Sequence, residues 1–550
     1  MDQLTGIRSI RSWRCRPAFS ENPRHPNDAV TYRKRTQVVW ISAIASLLLS
    51  AICMMSACRH HVEPRVDMTG LWAFRVVNGG TGYLELKQSG VTINGTDIGF
   101  LRMPLHGSIK DNVFHVSGIF SHAGHSYEVT YDGTVGQQGI TMTERKPITI
   151  NGGGEMVIQG NLVRTTRSEI YPKRLPLPAL RNLADNGLVK VPPMGWNSWN
   201  KFHTTINDKI VREMADAMVA SGMSRKGYRY ILIDGGWEGA RDAQGNLHGN
   251  ARFPDMKALA DYVHAKGLKI GIYSSPGPRT CGGYTGSYGH EEQDARTFAA
   301  WGFDYLKYDW CSAGRIYSAA DRRAVYQKMG QALRDTGRPI VYSLSPGLPE
   351  IWQWAPKAGA NLWRTTNDIT DTWASIEKIG FSQAAIARYA GQGHWNDPDN
   401  LEVGNGSVTN KEARAQMSLW ALLRAPLIAG NDLRTMSSGT KDILTNSDVI
   451  AIDQDPLALP LKQIVDGSTS KVYLRKLTGN SIALGLFNIA GTPSQVSVQW
   501  NMLGLSTIIR EKRVKAVNVW THAPVSLSGS GYSAVVPAHG VVLLRISLGS

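Results

Sequence analysis

A chain of 550 residues is too long to fold around one hydrophobic core, so we expect about three domains. Hydrophobic residues make up 42% of the chain and charged residues 19%, as in ordinary globular proteins. The formal net charge is +16, but the chain contains no basic helix with interleaved aromatic residues. This pattern argues against a nucleic-acid partner.

The first 58 residues have the pattern of an export or anchoring segment. Residues 38–58 are nearly uncharged and follow the basic stretch Arg33-Lys34-Arg35. Met55-Ser56-Ala57-Cys58 resembles a bacterial lipobox, in which the cysteine is lipidated. We therefore expect the body of the protein to lie in the cell envelope. Its attachment to the membrane would be a lipid on Cys58 or a retained anchor.

The cysteine count agrees with this location. Of the five cysteines, only Cys281 and Cys311 lie beyond the exported segment. Because oxidising compartments favour disulfides, two cysteines in the body of an exported protein most simply form one bridge.

Residues 66–165 alternate short strand patterns with Gly, Asn or Asp turns, which predicts an antiparallel sandwich or a small barrel. This module contains no catalytic constellation, and glycan binding and a spacer role are equal alternatives for it. Residues 166–190 are rich in proline and form the predicted linker to the next domain.

Residues 191–455 alternate apolar strand runs with amphipathic helices, the pattern of parallel β/α architecture. Eight strands can be counted, and most end in a polar or charged residue, where barrel enzymes place their chemistry. Residues 456–550 return to alternating strands with turn breaks. The predicted fold class is therefore α/β. A (β/α)8 TIM barrel is flanked by an N-terminal β module and a C-terminal antiparallel β-sandwich.

The strand that contains Tyr305 and Tyr308 ends at Asp309, with Lys307 two residues earlier. Side chains two apart on a strand share a face, so Lys307 and Asp309 should point the same way. A lysine that close keeps an aspartate ionised at neutral pH, as a nucleophile requires. Asp368 follows another predicted strand, and paired carboxylates are the machinery of glycoside hydrolysis.

Other chemistries lack their motifs. The histidines do not have metal-ligand spacing, and the sequence has neither a glycine-rich phosphate loop nor a G-x-S-x-G elbow. We therefore predict no metal and no cofactor.

Six stretches within residues 191–455 together resemble glycoside hydrolase family 27, the α-galactosidase and α-N-acetylgalactosaminidase family, and occur in the family's order. The stretches are Pro193–Trp199 (PMGWNSW), Ile233–Trp237 (IDGGW), Gly271–Tyr273 (GIY), Asp304–Asp309 (DYLKYD), Trp363–Ile369 (WRTTNDI) and Trp395–Asp399 (WNDPD).

The resemblance implies a double-displacement, retaining mechanism with Asp309 as the nucleophile and Asp368 as the general acid/base. It also implies that Cys281 and Cys311 form the family's bridge beside the nucleophile. Asp368 needs a raised pKa to arrive protonated, through desolvation or a like-charged neighbour. The residues that the resemblance places in the sugar subsite are Trp199, Asp234, Tyr273, Lys307, Arg364 and Asp399.

Three departures from the family pattern concern the sugar pocket and leave the chemistry intact. Gly235 stands where a second aspartate usually follows Asp234, and Asn400 stands where Met is common. The loop Ser343–Gly347 replaces one that contains Cys, Glu and Trp. These positions bear on which sugar is accepted.

The expected function is an exported retaining exo-glycosidase that removes terminal α-linked galactose from oligosaccharides, polysaccharides or glycoconjugates. The alternatives are hydrolysis of an α-N-acetylgalactosaminide, a β-L-arabinopyranoside or an isomaltose-type α-glucoside. A non-catalytic glycan-binding surface lipoprotein is the alternative from another class. The joint presence of Asp309, Asp368, Lys307 and Arg364 argues against it.

Overall fold

The computed structural model of the protein describes residues 66–77, 79–99, 101–122, 125–147, 155–510, 514–527 and 529–549. The predicted export segment and its Cys58 lie outside these residues. Within the described part of the chain, no helix combines the length and apolar character needed to cross a membrane.

Eight antiparallel strands close into a barrel at the N-terminal end of the described chain, because the first strand pairs with both the second and the eighth. Apolar side chains such as Phe74, Leu84 and Phe114 fill its interior. A barrel is thus formed, rather than the alternative of a sandwich. Its strands are Gly70–Val76, Thr81–Ser89, Thr92–Asp97, Pro104–Lys110, Val113–His122, His125–Gly136, Gly139–Pro147 and Glu155–Arg164.

A short helix, Arg167–Ile170, and an extended segment connect this barrel to the next domain. The segment lies along the catalytic domain, where the Arg181 amide donates to Gln327 Oε1 at 2.9 Å. Arg174 also forms an ion pair of 2.7 Å with Asp321. The linker is therefore attached to the surface that it crosses.

Eight short parallel strands form the centre of the second domain, in an order that follows the chain around the sheet. A parallel bridge between Leu401, four residues beyond the seventh strand, and Ala429 of the eighth strand closes the sheet. The predicted (β/α)8 barrel is therefore confirmed. Its strands are Met194–Asn197, Tyr230–Leu232, Lys269–Ser274, Tyr305–Tyr308, Val341–Leu344, Leu362–Arg364, Trp395–Asp397 and Leu427–Ala429.

Helices cover the outside of this sheet, and their ends follow ordinary capping rules. The Asn207 side chain accepts from the Ile210 amide at the start of one helix. Gly302, with φ of 93°, ends another in the left-handed region. The α-helices of the domain are Trp199–Phe202, Asp208–Ala220, Met256–Ala265, Glu291–Trp301, Arg322–Asp335, Trp373–Ser382, Asn410–Leu423, Ser438–Leu444 and Ser447–Asp453.

Shorter elements fill the connections. A hairpin of Glu238–Arg241 and Leu247–Gly249 follows the second barrel strand. Two 3₁₀ turns, instead of an α-helix, connect the fifth and sixth strands. The 3₁₀ segments are His203–Thr205, Met223–Lys226, Ala313–Arg315, Ala319–Asp321, Ile351–Gln353, Pro356–Ala358, Gln383–Tyr389 and Leu433–Thr435.

The C-terminal domain is an antiparallel sandwich of a six-stranded and a two-stranded sheet. It packs on the catalytic barrel through the helix Asn410–Leu423, where Arg475 donates to the Ala421 carbonyl at 2.8 Å. Its strands are Lys462–Asp466, Ser470–Leu477, Ser481–Asn488, Ser494–Gln499, Val514–Asn518, Pro524–Val525, Gly531–Val536 and Val541–Leu548, with helices Trp500–Leu503 and Ser506–Arg510.

Candidate active site

Asp309 lies directly after the fourth strand of the catalytic barrel, and its backbone amide continues the ladder by donating to Ser274 O at 3.0 Å. One carboxylate oxygen accepts from the Trp310 amide at 2.8 Å. The other accepts from the Tyr273 hydroxyl at 3.0 Å. Both interactions fix the direction in which this carboxylate points into the barrel end.

Burial raises the pKa of Asp309 to about 6, although Lys307 lowers it and Asp368 raises it further. The carboxylate is therefore mostly ionised at neutral pH, as expected. The reason differs from the expected one in one respect. The Lys307 ammonium forms its ion pair, of 2.6 Å, with Asp234 beyond the end of the second strand instead of with Asp309.

Asp234 ends the second barrel strand and is buried. Besides Lys307, it accepts from Asn197 Nδ2 at 3.0 Å and from the Gly235 amide at 2.9 Å. The Lys307 ammonium also lies 5.6 Å from the centre of the Tyr273 ring. These contacts place three of the predicted sugar-subsite residues within one connected group.

Arg364 joins two more of the predicted residues. Its guanidinium contacts Asp399 at 2.8 Å and Asp368 at 3.1 Å. The arginine is buried, whereas the Asp368 side chain is 58% exposed. The like-charged neighbour expected for Asp368 is present in Asp309, but the protein by itself does not supply the expected desolvation.

Asp399 has φ of 84°, a conformation that costs free energy for any residue but glycine. Several hydrogen bonds hold it there. Its carboxylate accepts from the Ile369 and Asn400 amides, and its own amide donates to Asp397. The strained backbone fixes the carboxylate beside Arg364.

Cys281 and Cys311 form the predicted disulfide. The bridge lies beside the nucleophile position, with the Cys281 sulfur 3.8 Å from Asp309 Oδ2 and the Cys311 sulfur 3.5 Å from the Tyr273 hydroxyl. It joins the loop after the third strand to the residue two positions beyond Asp309.

Trp199 begins the helix after the first barrel strand and contacts the His203 ring edge-on, with 5.4 Å between ring centres. It lines a cavity of about 470 Å³ together with Asp368 and the disulfide. Side chains of the N-terminal barrel line it as well, together with further residues of the catalytic domain. No sequence motif marks those side chains, because they come from several strands.

The three departures from the family pattern differ in their surroundings. At Gly235, an added Cβ would lie 3.3 Å from the Tyr273 ring and 4.0 Å from Glu238 Oε1. Asn400 is buried and donates to Asn200 Oδ1 at 2.8 Å. Gly347 lies against the Thr366 backbone, so the Ser343–Gly347 loop packs on the turn that precedes Asp368.

Glu238 lies close to Gly235 and carries a buried carboxyl group. It is buried, and Oε2 accepts from the Gly236 amide at 2.8 Å. Oε1 has no hydrogen-bond partner among the described residues. Burial raises its pKa to about 8, so it is mostly protonated at neutral pH.

The arrangement has the parts of a glycosidase site. A buried, ionised carboxylate and a more exposed one lie at strand ends of a (β/α)8 barrel, close enough for one charge to shift the pKa of the other. Charged donors and acceptors surround them, as recognition of sugar hydroxyls requires. Fold and site therefore define a glycoside hydrolase.

Comparisons with known proteins agree with this class. The family model for α-galactosidase A matches residues 191–455, and the model for the α-galactosidase C-terminal β-sandwich domain matches residues 467–546. An α-galactosidase of Cyamopsis tetragonoloba is 46% identical over 364 residues, which cover 65% of this chain and 87% of that protein. The chain belongs to the α-galactosidase family, glycoside hydrolase family 27.

Two solved structures differ in how much of the chain they cover. The α-galactosidase I of Mortierella vinacea has a TM-score of 0.63 and 33% identity, and it covers 67% of this chain and 100% of that one. A Bacteroides fragilis protein described as an α-galactosidase has a TM-score of 0.62 and 29% identity. The match covers 88% of this chain and 99% of that protein. The larger coverage must include much of the region before residue 191.

Proposed function

We propose that this protein is an exported retaining exo-α-galactosidase in which Asp309 is the nucleophile and Asp368 the general acid/base. Asp309 attacks the anomeric carbon while Asp368 protonates the leaving oxygen, and Asp368 then deprotonates the water that releases the sugar. The observation that carries the proposal is the pairing of a buried, ionised Asp309 with the half-exposed Asp368 in one site.

The charged residues around this pair have complementary tasks. Asp234 and Asp399 accept hydrogen bonds from sugar hydroxyls, whereas Lys307 and Arg364 donate them. The two ion pairs hold the four side chains in place before the sugar binds. The Tyr273 hydroxyl orients Asp309 for attack.

An activated 2-fluoro-galactosyl fluoride tests the mechanism. It should label Asp309 covalently, and the label should be lost in Asp309→Ala while the fold is kept. The first sugar product should retain its anomeric configuration by NMR. Label on another carboxylate would reverse the roles, and an inverted product would exclude double displacement.

The identity of the sugar that the enzyme releases is tested with a matched set of aryl glycosides. We expect α-galactoside to be cleaved best. An α-N-acetylgalactosaminide, a β-L-arabinopyranoside and an α-glucoside are the alternatives, because Gly235 and Asn400 depart from the family pattern. A higher kcat/KM for any of these would assign the enzyme to that substrate.

The proposed location is the cell envelope, with membrane attachment through Cys58. Support comes from the apolar run of residues 38–58 and from the Cys281–Cys311 disulfide, which suits an oxidising compartment. In a bacterial host, Cys58→Ser should abolish lipid labelling and release the protein from membranes. Persistent membrane association of that variant would indicate a retained anchor instead.

A further inference from the structure

The N-terminal barrel opens onto the catalytic site. One cavity of about 470 Å³, within the usual size of ligand sites, is lined by both domains. The barrel side includes Phe74, Asp97, Tyr131, Glu144 and Lys146. These residues come from one end of the barrel, which we call the barrel mouth.

Direct contacts fix the position of the mouth. The Thr81 amide donates to the Gly283 carbonyl at 2.8 Å, and Arg315 of the catalytic barrel donates to the Gly99 carbonyl at 2.8 Å. Gly80 lies so close to the Gly282 carbonyl that any side chain there would clash. The barrel is therefore held against the loops around the active site.

Buried polar groups of the mouth form a network that faces the cavity. Tyr131 donates to Asp97 Oδ2 at 2.7 Å, and the Lys146 ammonium contacts Glu144 Oε1 at 3.1 Å. Asp97, Tyr131 and Glu144 are each buried. Burying such polar groups requires partners, and the network supplies them while its members still line the cavity.

The catalytic side of the cavity defines which part of a substrate it meets. Asp368, Trp199 and both cysteines of the disulfide line it, whereas Asp309 and Lys307 do not. A general acid lies beside the leaving oxygen of a glycosidic bond. The cavity therefore reaches the leaving-group side of the site at Asp368, next to the sugar-subsite residue Trp199.

We propose that the barrel mouth binds the leaving-group sugars of the substrate, so that the N-terminal barrel selects α-galactosides carried on an oligosaccharide. The proposal rests on the proposed function. The mouth offers charged donors and acceptors together with the aromatic rings of Phe120 and Tyr127, a combination suited to sugar hydroxyls and to the apolar faces of sugar rings.

This binding has a consequence for catalysis. Asp368 is 58% exposed in the protein alone. Leaving-group sugars in the cavity cover it and remove water from its carboxyl, which favours the protonated form that the first step needs. Occupation of the mouth thus supplies the desolvation that the catalytic barrel lacks.

The test compares two substrates in paired variants. Raffinose carries a disaccharide leaving group, whereas 4-nitrophenyl α-galactoside carries a small activated one. Glu144→Gln/Lys146→Met removes the two charges of the Lys146–Glu144 ion pair with little change of shape. Its matched control is Glu128→Gln/Lys110→Met, because Glu128 and Lys110 are exposed on the same barrel.

A second pair of variants tests whether hydrolysis of raffinose needs the open space of the cavity. Ile158 lines the cavity, and Ile158→Trp should fill part of it. Val157 is its neighbour on the same strand, is 46% exposed and lies on the opposite face, so Val157→Trp is the control. Thermal unfolding of all four variants checks that they are folded.

We expect kcat/KM on raffinose to fall about 10-fold or more in each mouth variant, with changes below about 2-fold on the aryl galactoside and in both controls. Equal losses on the two substrates, or unchanged raffinose hydrolysis in folded mouth variants, would overturn the proposal. If the parent does not hydrolyse the aryl galactoside at all, the proposed function itself fails.

Binding gives an independent readout. Sucrose, the leaving group of raffinose, should inhibit aryl galactoside hydrolysis by the parent, and the inhibition constant should rise about 10-fold in Ile158→Trp. Inhibition of equal strength in Ile158→Trp and Val157→Trp would place the disaccharide elsewhere and contradict the proposal.

Discussion

At the scale of single residues, the two carboxylates proposed to be catalytic differ in what surrounds them. Asp309 is held by Tyr273 and the Trp310 amide, whereas Asp368 contacts Arg364 and is largely open to solvent. A nucleophile needs a fixed, ionised carboxylate, and an acid/base must exchange protons with water and with the leaving group. The structure provides both environments.

Asp368→Ala should damage hydrolysis of poor leaving groups far more than that of activated aryl galactosides, because only the former need a proton. We expect losses of about 10³-fold or more for an alkyl or sugar leaving group. Added azide should partly restore turnover of the activated substrate. Losses of equal size across leaving groups would contradict the acid/base role.

The acidic limb of kcat/KM should lie near pH 6, because Asp309 must be ionised and burial raises its pKa to about 6. Lys307 is the strongest influence that lowers this pKa, so Lys307→Met should move the limb to higher pH. The pH profile is measured on an activated aryl galactoside. A limb that stays in place in this variant would show that another group controls it.

Glu238 is the residue that can replace the missing aspartate at Gly235, since its Oε1 lies 4.0 Å from the position of an added Cβ there. Glu238→Ala should weaken the preference for galactoside over arabinopyranoside or glucoside by about 10- to 100-fold, the cost of leaving one buried sugar hydroxyl without its hydrogen-bond partner. Gly235→Asp in that background should restore it.

The measurement is kcat/KM on matched aryl glycosides, with Gly235→Asp alone as the reference. The backbone of Gly235 is not in the left-handed region, so an aspartate is tolerated there once the Tyr273 ring shifts by a few tenths of an ångström. An unchanged preference in Glu238→Ala would remove Glu238 from sugar recognition.

At the scale of elements, strand ends and the loops after them build the site. The third and fourth strands end at Ser274 and Tyr308, and the disulfide ties the chain beyond them together. The two cysteine sulfurs contact Asp309 and Tyr273. The position of the Asp309 carboxylate therefore depends on how well the disulfide orders this part of the chain.

Cys281→Ser/Cys311→Ser should lower the free energy of unfolding by about 3 kcal/mol, the chain-entropy value for a closed loop of this length. It should also reduce kcat through the loss of order around Asp309. Urea unfolding and activity of the parent with and without reductant provide the comparison. A reduced parent as stable as the oxidised one would contradict a structural role for the bridge.

At the scale of the whole molecule, several buried carboxyls make the fold more stable at acidic pH than at neutral pH. Burial raises the pKa of Glu238 and Glu402 to about 8 and that of Asp453 to about 7. A carboxyl with a raised pKa in the folded state stabilises the fold fully below its unfolded pKa of about 4. That contribution is lost as the pH rises to about 8.

We therefore expect the free energy of unfolding to fall between pH 5 and pH 8, by up to about 1.4 kcal/mol per pH unit for each such carboxyl. Surface carboxyls with lowered pKa, such as Asp321 at about 2, act only under more acidic conditions. Urea unfolding at several pH values gives the slope, and Glu402→Gln should make it shallower. A stability that rises towards pH 8 would refute the expectation.

The sequence alone determined the features that depend on local pattern. Eight strand runs, the helix caps at Asn207 and Gly302, and the motif residues around Asp309 are set by alternation, capping chemistry and short motifs, which neighbouring residues encode. The pairing of Cys281 with Cys311 followed because the body of the chain contains only these two cysteines.

Only the tertiary structure decided which groups face each other across distant segments. Lys307 of the fourth strand pairs with Asp234, which follows the second strand, because the barrel brings the ends of these two strands together with the third strand between them. Strand alternation along one segment carries no information about that partner. The cavity of the barrel mouth likewise joins side chains from many strands of two domains. Exposure and pKa depend on such packing, because burial is a property of the folded molecule and not of any single stretch of sequence.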